Sequence, residues 1–122
     1  MIGLGVDLVD IERFRRVLAR RPTLVNRLFS EAEVAYANQQ HDPTQRLAVR
    51  FAAKEATLKA LGLGLGGIPL ADIEVVRDGQ SGRPSLQLHN RGAMVATEHG
   101  VSGWLLSLSH TDLVAQATVI AI

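Results

Sequence analysis

The sequence predicts an α+β fold in which a small antiparallel sheet packs against one long central helix and several shorter helices. The chain begins with the strand-like run MIGLGVDLV, an Asp-Pro pair in the first half introduces a long helical pattern, and strand-like runs joined by short turns follow. With 122 residues, of which 47% are hydrophobic, the chain has the size of one domain over residues 1–122 and is too apolar to be disordered.

Capping patterns mark the first two helices. Asp10 is a suitable N-cap for a helix that follows the opening strand and stops before Pro22. Ser30 and Glu33 have the spacing of a capping box, in which each residue bonds to the backbone N–H of the other. This pair predicts a second, short helix.

The longest predicted helix begins at Asp42 and Pro43, a cap followed by an N1 proline, and runs to about Gly62. The glycine-rich loop LGLGLGG follows it. Two strands, IEVVRD and SLQLH, are then joined by the turn GQSGRP, and Asn90 caps a helix that Gly100 ends. Of the two final strands, WLLSLSH and LVAQATVIAI, the second is apolar on both faces, which predicts deep burial or a subunit interface.

Composition excludes several classes of protein. The chain has no cysteine, so disulfides, thiolate nucleophiles and thiolate metal sites are excluded, and a cytoplasmic location is expected. No run of 18 apolar residues is present, and the N-terminus lacks the layout of a signal peptide. No membrane association is therefore expected.

The basic residues are unevenly distributed. Six of the 13 Lys and Arg residues lie between Arg13 and Arg27, where no acidic residue occurs, although the net charge is only +1. Such a stretch attracts an acidic partner, whether a protein, a nucleic acid or a membrane. The alternative is that it forms a solvated helix face without a partner.

Glu55 is the most informative position of the long helix. Leu47, Phe51 and Leu58 recur at helical spacing, and Glu55 lies in the same stripe. A carboxylate that faces a protein core is unfavourable unless it is paired or bound to a metal. The alternative is that Glu55 lies at the edge of the stripe and pairs with Lys59 one turn later.

Asp7 presents the same question in the first strand. Its face of the strand is otherwise formed by Gly3 and Gly5, so that backbone or ligand can approach closely. Carboxylates on two rigid elements suit Mg²⁺, which takes one or two protein carboxylates and completes its shell with water and substrate phosphate. Asp7 and Glu55 are thus candidate ligands, unless Asp7 simply faces solvent.

Cationic side chains and backbone N–H groups near Glu55 could bind phosphate. Lys54 and Lys59 flank it on the helix, and the glycine-rich loop that contains Gly62 and Gly64 follows. The loop is not a Walker A motif, because no GxxxxGK[ST] is present. The glycines could equally serve as a helix C-cap and a flexible turn.

His110 ends the predicted strand WLLSLSH, next to Ser109. Adjacent residues of a strand point to opposite faces, and no GxSxG elbow is present, so a Ser-His nucleophile is rejected. A histidine at a strand end beside hydroxyl groups is better suited to contact an anion or to cap a turn.

Three segments together resemble the holo-[acyl-carrier-protein] synthase branch of the 4′-phosphopantetheinyl transferases. They are the opening GLGVDLVDIERF, the helical RFAAKEATLKALG and the ending LSLSHTDLVAQATV. The family signature combines an aspartate in G-x-D with F-x-x-K-E-A-x-x-K-A, and the resemblance spans nearly the whole chain. It implies an enzyme that moves the phosphopantetheine arm of coenzyme A onto a serine of an acyl carrier protein, in support of fatty acid biosynthesis.

The resemblance also implies roles for individual residues. Asp7 and Glu55 match the carboxylates that bind Mg²⁺ together with the coenzyme A pyrophosphate. Lys59 matches a position associated with the phosphates and the leaving group, and Lys54 one associated with coenzyme A phosphate. His110 matches a histidine near the nucleotide. Glu55 and Lys59 are thereby the expected catalytic residues, and whether Glu55 or a metal-associated water is the general base stays open.

Further expectations concern the carrier protein and the loop. The resemblance implies that Arg13, with Arg20 on the same helix, docks the acidic carrier protein. From their open backbone, Gly62 and Gly64 are expected to lie at the coenzyme A phosphates. Some relatives carry Thr in place of Leu63, so that in this loop a hydroxyl contact to phosphate is either absent or replaced by a backbone contact.

Compact relatives form trimers with active sites between subunits, so the resemblance implies a homotrimer and no nucleic-acid partner. Two competing hypotheses remain. A non-catalytic module could use its basic first helix to bind nucleic acid or an acidic protein, indifferent to Mg²⁺ and coenzyme A. A coenzyme A-binding protein without transfer activity would keep the phosphate site and leave a carrier unmodified.

Overall fold

A computed structural model describes residues 1–122 and contains five helices and five strands. The first half consists of one strand and four helices: β1 (Gly3–Asp10), α1 (Ile11–Arg20), α2 (Leu24–Leu28), α3 (Glu31–Asn38) and α4 (Pro43–Ala60). After a short 3₁₀ helix, Leu70–Asp72, the second half contains β2 (Ile73–Arg77), β3 (Pro84–Leu88), α5 (Asn90–Glu98), β4 (Trp104–His110) and β5 (Val114–Ala121).

The predicted caps begin three of these helices. The Asp10 carboxylate accepts a hydrogen bond from the Arg13 N–H at 2.9 Å. Ser30 and Glu33 form both bonds of the capping box at α3. Asp42 caps α4, the 18-residue helix that Pro43 opens. These starts are fixed locally, because each cap uses only neighbouring backbone groups.

The predicted cap of α5 is wrong. The helix begins at Asn90 itself, which has a positive φ of 49°, and His89 takes the N-cap position without a side-chain bond. Asn90 tolerates this left-handed conformation better than most residues. The sequence also did not predict α2, whose Thr23 N-cap makes no side-chain bond.

The α+β class is confirmed, with two small antiparallel sheets where one was expected. One sheet has the strand order β1-β5-β4, and β2 pairs only with β3. Strands β1 and β5 pair along their whole length, from Gly3 opposite Ala121 to Asp10 opposite Val114. The long β5 therefore lies at the centre of the larger sheet, where the last strand of the chain pairs with the first.

Helix α4 packs directly on the inner face of this sheet. A Cβ on Gly3 would lie 1.8 Å from the carbonyl oxygen of Ala60, so only glycine allows the strand to come this close. The inner residues of β5 are small and fully buried: Ala115, Ala117, Val119 and Ala121. Asp7 continues the Gly3 face of β1 and is thereby brought to the side of α4.

The outer face of the same sheet is largely uncovered. Leu4, Val6 and Leu8 of β1 are about half exposed, with exposed fractions of 54%, 47% and 66%. Gln116 and Thr118 of β5 stand opposite Leu8 and Val6 in the register of the strands. The prediction that β5 is deeply buried is confirmed for its inner face, whereas its outer face is not apolar throughout. None of the helices has the length and apolar character needed to cross a lipid bilayer.

Candidate active site

Asp7 and Lys59 meet where β1 crosses the C-terminal half of α4. The Lys59 Nζ donates hydrogen bonds to Asp7 Oδ1 and to the carbonyl oxygen of Val6, both at 3.0 Å. The Asp7 side chain is 16% exposed and that of Lys59 is 53% exposed. The ion pair therefore lies at a surface that solvent or a ligand can reach.

Glu55 lies one turn before Lys59 on α4. Burial raises the pKa of its carboxyl, the negative charge of Asp7 raises this pKa further, and the Lys59 ammonium lowers it. Lys59 forms its ion pair with Asp7 rather than with Glu55, so the alternative in which Glu55 is neutralised by Lys59 is wrong. Two neighbouring carboxylates repel each other, and a bound cation would offset this repulsion.

Both carboxylates line a cavity of about 760 Å³ between β1, the α1–α2 region and α4. Its walls are mainly apolar, and Asp7, Asp10, Arg13 and Glu55 supply the charged groups. The apolar lining consists of Leu8, Val9, Phe14, Val17, Leu24, Leu28, Phe51, Leu65, Leu70 and Val114. The sequence did not identify these residues, because an apolar side chain on a cavity wall has the same periodicity as one in a core.

Lys54 does not lie at this cavity. Its side chain is fully buried, and its Nζ is 2.8 Å from Glu33 Oε1. It also donates to the carbonyl oxygens of Leu70, at 3.0 Å, and Ile73. All three donors of the ammonium are thus used within the protein. The expectation that Lys54 binds coenzyme A phosphate is corrected, because no donor is left for a phosphate.

Arg50, one turn before Lys54 on α4, is also buried away from the cavity. It is 4% exposed, stacks on the ring of Tyr36 with 4.4 Å between guanidinium carbon and ring centroid, and leaves its Nε without a partner. Burial lowers the pKa of Arg50. Lys54 and Arg50 thus both face α3 and β2, whereas Lys59 contacts Asp7.

The glycine-rich loop combines a helix cap with open backbone. Gly62 has φ +71°, and the N–H of Leu63 donates to the Leu58 carbonyl at 2.8 Å, as in a Schellman motif. The C-cap interpretation is confirmed for Gly62. Around Gly64 an added Cβ would meet nothing within 4 Å. A role for Gly62 and Gly64 toward phosphate stays a prediction.

His110 is separated from the carboxylates within this chain. It ends β4, is exposed, and pairs with Ala115 of β5, which in turn pairs with Val9 of β1. The central strand β5 thus lies between His110 and the strand that carries Asp7, and His110 does not line the cavity. Its predicted contact with a nucleotide stays a prediction.

The arginines of α1 fall into two groups. Arg13 lines the cavity and Arg20 ends the helix, and both are exposed. Arg15 instead forms two hydrogen bonds to the Asp42 carboxylate, at 3.1 and 2.8 Å, and one to Glu12. This bidentate contact lowers the pKa of Asp42. The basic stretch is therefore partly neutralised by a residue from a distant part of the sequence.

The side chains present suit a metal site that substrate and water complete, rather than one formed by protein side chains alone. No group of three or more metal-binding side chains occurs. Asp7 and Glu55 line one cavity, and the negative charge of Asp7 contributes to the raised pKa of Glu55. Two carboxylates match the donor set that Mg²⁺ takes when substrate phosphate and water complete its shell.

Comparison with known proteins shows the family of this chain. A family model of the 4′-phosphopantetheinyl transferase superfamily matches residues 3–118. The chain belongs to this superfamily. A holo-[acyl-carrier-protein] synthase of Moorella thermoacetica is 47% identical over 120 residues, which are 98% of this chain and 93% of that protein. The chain is thus an enzyme of the holo-[acyl-carrier-protein] synthase family.

Solved structures of the family share the fold. The synthase of Neisseria meningitidis superposes with a TM-score of 0.90 at 30% identity, over 100% of this chain and 98% of that one. The synthase of Helicobacter pylori, solved in complex with coenzyme A, gives a TM-score of 0.85 at 25% identity, over 98% of this chain and 99% of the other. That synthase therefore binds coenzyme A on a fold that this chain shares.

Proposed function

We propose that this protein transfers the 4′-phosphopantetheine group of coenzyme A to a serine of an apo acyl carrier protein, with Mg²⁺ as cofactor and adenosine 3′,5′-bisphosphate as second product. The observation that carries the proposal is the convergence of Asp7, Glu55 and Lys59 where β1 crosses α4. The likeness to synthases that bind coenzyme A supports it. A cytoplasmic role in fatty acid biosynthesis goes with this activity.

The carboxylates hold the cofactor in this proposal. Asp7 and Glu55 would bind Mg²⁺, which when bound polarises the phosphoryl group under attack and offsets the charge of the pyrophosphate. The rigid placement of both residues follows from the close packing of β1 on α4. Preorganised groups of this kind require little rearrangement during the reaction.

The reaction forms one phosphorus–oxygen bond and breaks another. The carrier serine oxygen bonds to the phosphorus next to pantetheine, and the bond from this phosphorus to the departing adenosine 3′,5′-bisphosphate breaks. Lys59 offsets the negative charge that builds up on the leaving group. Either Glu55 or a water at the site takes the proton of the serine. No covalent enzyme intermediate is needed, since positioning and electrostatics supply the catalysis.

The carrier protein docks on α1 in this proposal. Arg13 lies at the rim of the cavity and Arg20 at the end of the helix, and both side chains are exposed. An acidic carrier would be attracted to these charges and would bring its serine to Glu55. Gly62 and Gly64 provide uncrowded backbone that a phosphate of coenzyme A could approach.

We also propose a homotrimer with active sites between subunits. Leu4, Val6 and Leu8 leave an apolar outer face on β1, which is unfavourable in water unless it is covered. His110 lies away from Asp7 within one chain. In the trimer, His110 would therefore contact the nucleotide bound at the carboxylates of a neighbouring subunit. Native mass spectrometry would test the assembly, and a monomer at working concentration would contradict it.

A mass measurement tests the transfer itself. Apo carrier protein, coenzyme A, Mg²⁺ and the enzyme are incubated, and the intact carrier mass is read with and without chelator. The expected result is addition of the pantetheine arm only when Mg²⁺ is present. An unmodified carrier together with retained coenzyme A binding would indicate a binding protein without transfer activity. Salt-sensitive binding to nucleic acid without coenzyme A binding would indicate the non-catalytic module.

A further inference from the structure

A buried ion pair outside the cavity joins four elements of the fold. Glu33 of α3 and Lys54 of α4 are both fully buried and lie 2.8 Å apart. Glu33 also accepts hydrogen bonds from the N–H of Ser30 at 2.9 Å and of Val75 at 3.0 Å. Lys54 donates to the carbonyls of the 3₁₀ helix and β2. Every polar atom of the pair is thus used in holding backbone.

The backbone held by this pair leads directly to the proposed active site. Lys54 precedes Glu55 on α4. The Leu70 carbonyl accepts a hydrogen bond from Lys54, and Leu70 also lines the cavity. Leu70 follows shortly after the end of the glycine-rich loop. The ammonium therefore joins the helix that carries the carboxylate to the far end of the loop.

The loop between these attachments has few constraints of its own. Gly62 and Gly66 have positive φ values, and added Cβ atoms at Gly62, Gly64 and Gly66 would all meet open space. One side-chain bond, from Arg91 Nε to the Gly67 carbonyl at 3.2 Å, reaches the loop from α5. The position of such a segment depends on where its ends are fixed.

We infer that Glu33 and Lys54 are positioning residues that hold the glycine-rich loop against α4 and thereby set the coenzyme A site. This inference rests on the proposed function. It gives Glu33, which lies in α3 and does not line the cavity, a role in the reaction, and it makes Lys54 act through the loop rather than on a phosphate. A loop that shifts by about 1 Å can lower the efficiency of a reaction by roughly 100-fold.

The test replaces both members of the pair. Lys54→Met alone leaves a buried carboxylate unpaired and can unfold the chain, so the double variant Glu33→Gln/Lys54→Met is the main variant. Thr57→Ala is the matched control, because Thr57 is buried on the same helix and its hydroxyl bonds only to Ala53 of that helix, at 2.7 Å. Circular dichroism and thermal melting identify the temperature range in which each variant is folded.

Two measurements within that range decide the inference. In the double variant we expect the KM for coenzyme A to rise by roughly 10-fold or more while the KM for the carrier protein stays within about twofold. We also expect faster amide hydrogen exchange in residues 61–70 of the free protein, with unchanged exchange in α1. Thr57→Ala should show neither effect.

Other outcomes overturn the inference. If exchange in residues 61–70 is unchanged while the KM for coenzyme A rises, the pair does not act through the loop. If both KM values rise together and exchange increases throughout the chain, the pair only stabilises the fold. A wild-type protein that transfers nothing would refute the proposed function instead, and the exchange measurement would still decide whether the pair holds the loop.

Discussion

Gly5 of β1 lies directly against Ala56 of α4: a Cβ on Gly5 would come within 1.8 Å of the Ala56 carbonyl oxygen. Two residues further along the strand is Asp7, and one residue before Ala56 on the helix is Glu55. The contact between strand and helix backbone therefore sets how closely the two carboxylates can approach.

We predict that Gly5→Ala disrupts the site and the fold together. The added methyl group must push β1 away from α4, which should cost about 1–3 kcal/mol or more in the free energy of unfolding. Chemical denaturation measures this cost, and phosphopantetheine transfer should fall in parallel. Gly79→Ala is the control, because nothing lies within 4 Å of its added Cβ. Equal stability of the two variants would show that the close approach is not required.

Lys59→Ala should reduce turnover by roughly 10²–10³ at saturating substrates, by analogy with the loss of other preorganised electrostatic groups. The ammonium lies 3.0 Å from Asp7 and the Lys59 side chain is 53% exposed, so that its loss removes a charge without opening a core. Initial rates of carrier modification give the effect. Near-normal turnover would show that its assigned role is wrong.

Asp7→Asn and Glu55→Gln should each increase the Mg²⁺ concentration needed for half-maximal activity, by roughly 10-fold or more. Each change removes one charged donor while keeping a similar shape. Asp10→Asn is a matched control, since Asp10 lines the same cavity and asparagine can still cap α1. Activity that survives a chelator in the wild-type protein would contradict a metal requirement altogether.

Arg13→Gln and Arg20→Gln should raise the KM for the carrier protein and leave that for coenzyme A unchanged. An exposed ion pair contributes about 0.2–1 kcal/mol, so each loss should change this KM by a factor of up to roughly five. Added salt should reduce the difference from wild type, because it screens exposed charges. Arg83→Gln, at an exposed position before β3, is the control. An unchanged KM in a variant that carries both Arg13→Gln and Arg20→Gln would place the docking surface elsewhere.

Asp42→Asn should make the free energy of unfolding less dependent on pH in the acid range. The Arg15 guanidinium lowers the pKa of the Asp42 carboxyl, so the pair stabilises the folded state above the unfolded pKa of about 3.9 and loses this contribution as the pH falls through the folded pKa. At pH 7 the variant should be less stable by no more than about 1 kcal/mol, since the pair is partly exposed. Denaturation at pH 7 and near pH 3 measures the difference, which should shrink in acid. A difference that grows in acid would contradict the assigned pair.

Local patterns predicted the features that local chemistry controls. The caps at Asp10, Ser30 and Asp42 were confirmed because a cap bonds to backbone within its own first turn. The cap at Asn90 failed because its left-handed backbone conformation excludes the extended geometry of an N-cap. The sequence also identified Asp7 and Glu55, whose charge is out of place on a glycine face and in an apolar stripe.

The sequence by itself determined the candidate residues: two carboxylates and two lysines, on a strand and a helix, in a chain without cysteine. Tertiary structure decided which of the two lysines lies beside a carboxylate of the candidate site. Lys54 and Lys59 lie on the same helix five residues apart, yet one is buried against Glu33 and the other contacts Asp7. The difference arises because a charge on a helix is assigned to core or surface by elements from elsewhere in the chain, here α3 and β1, which no local pattern describes.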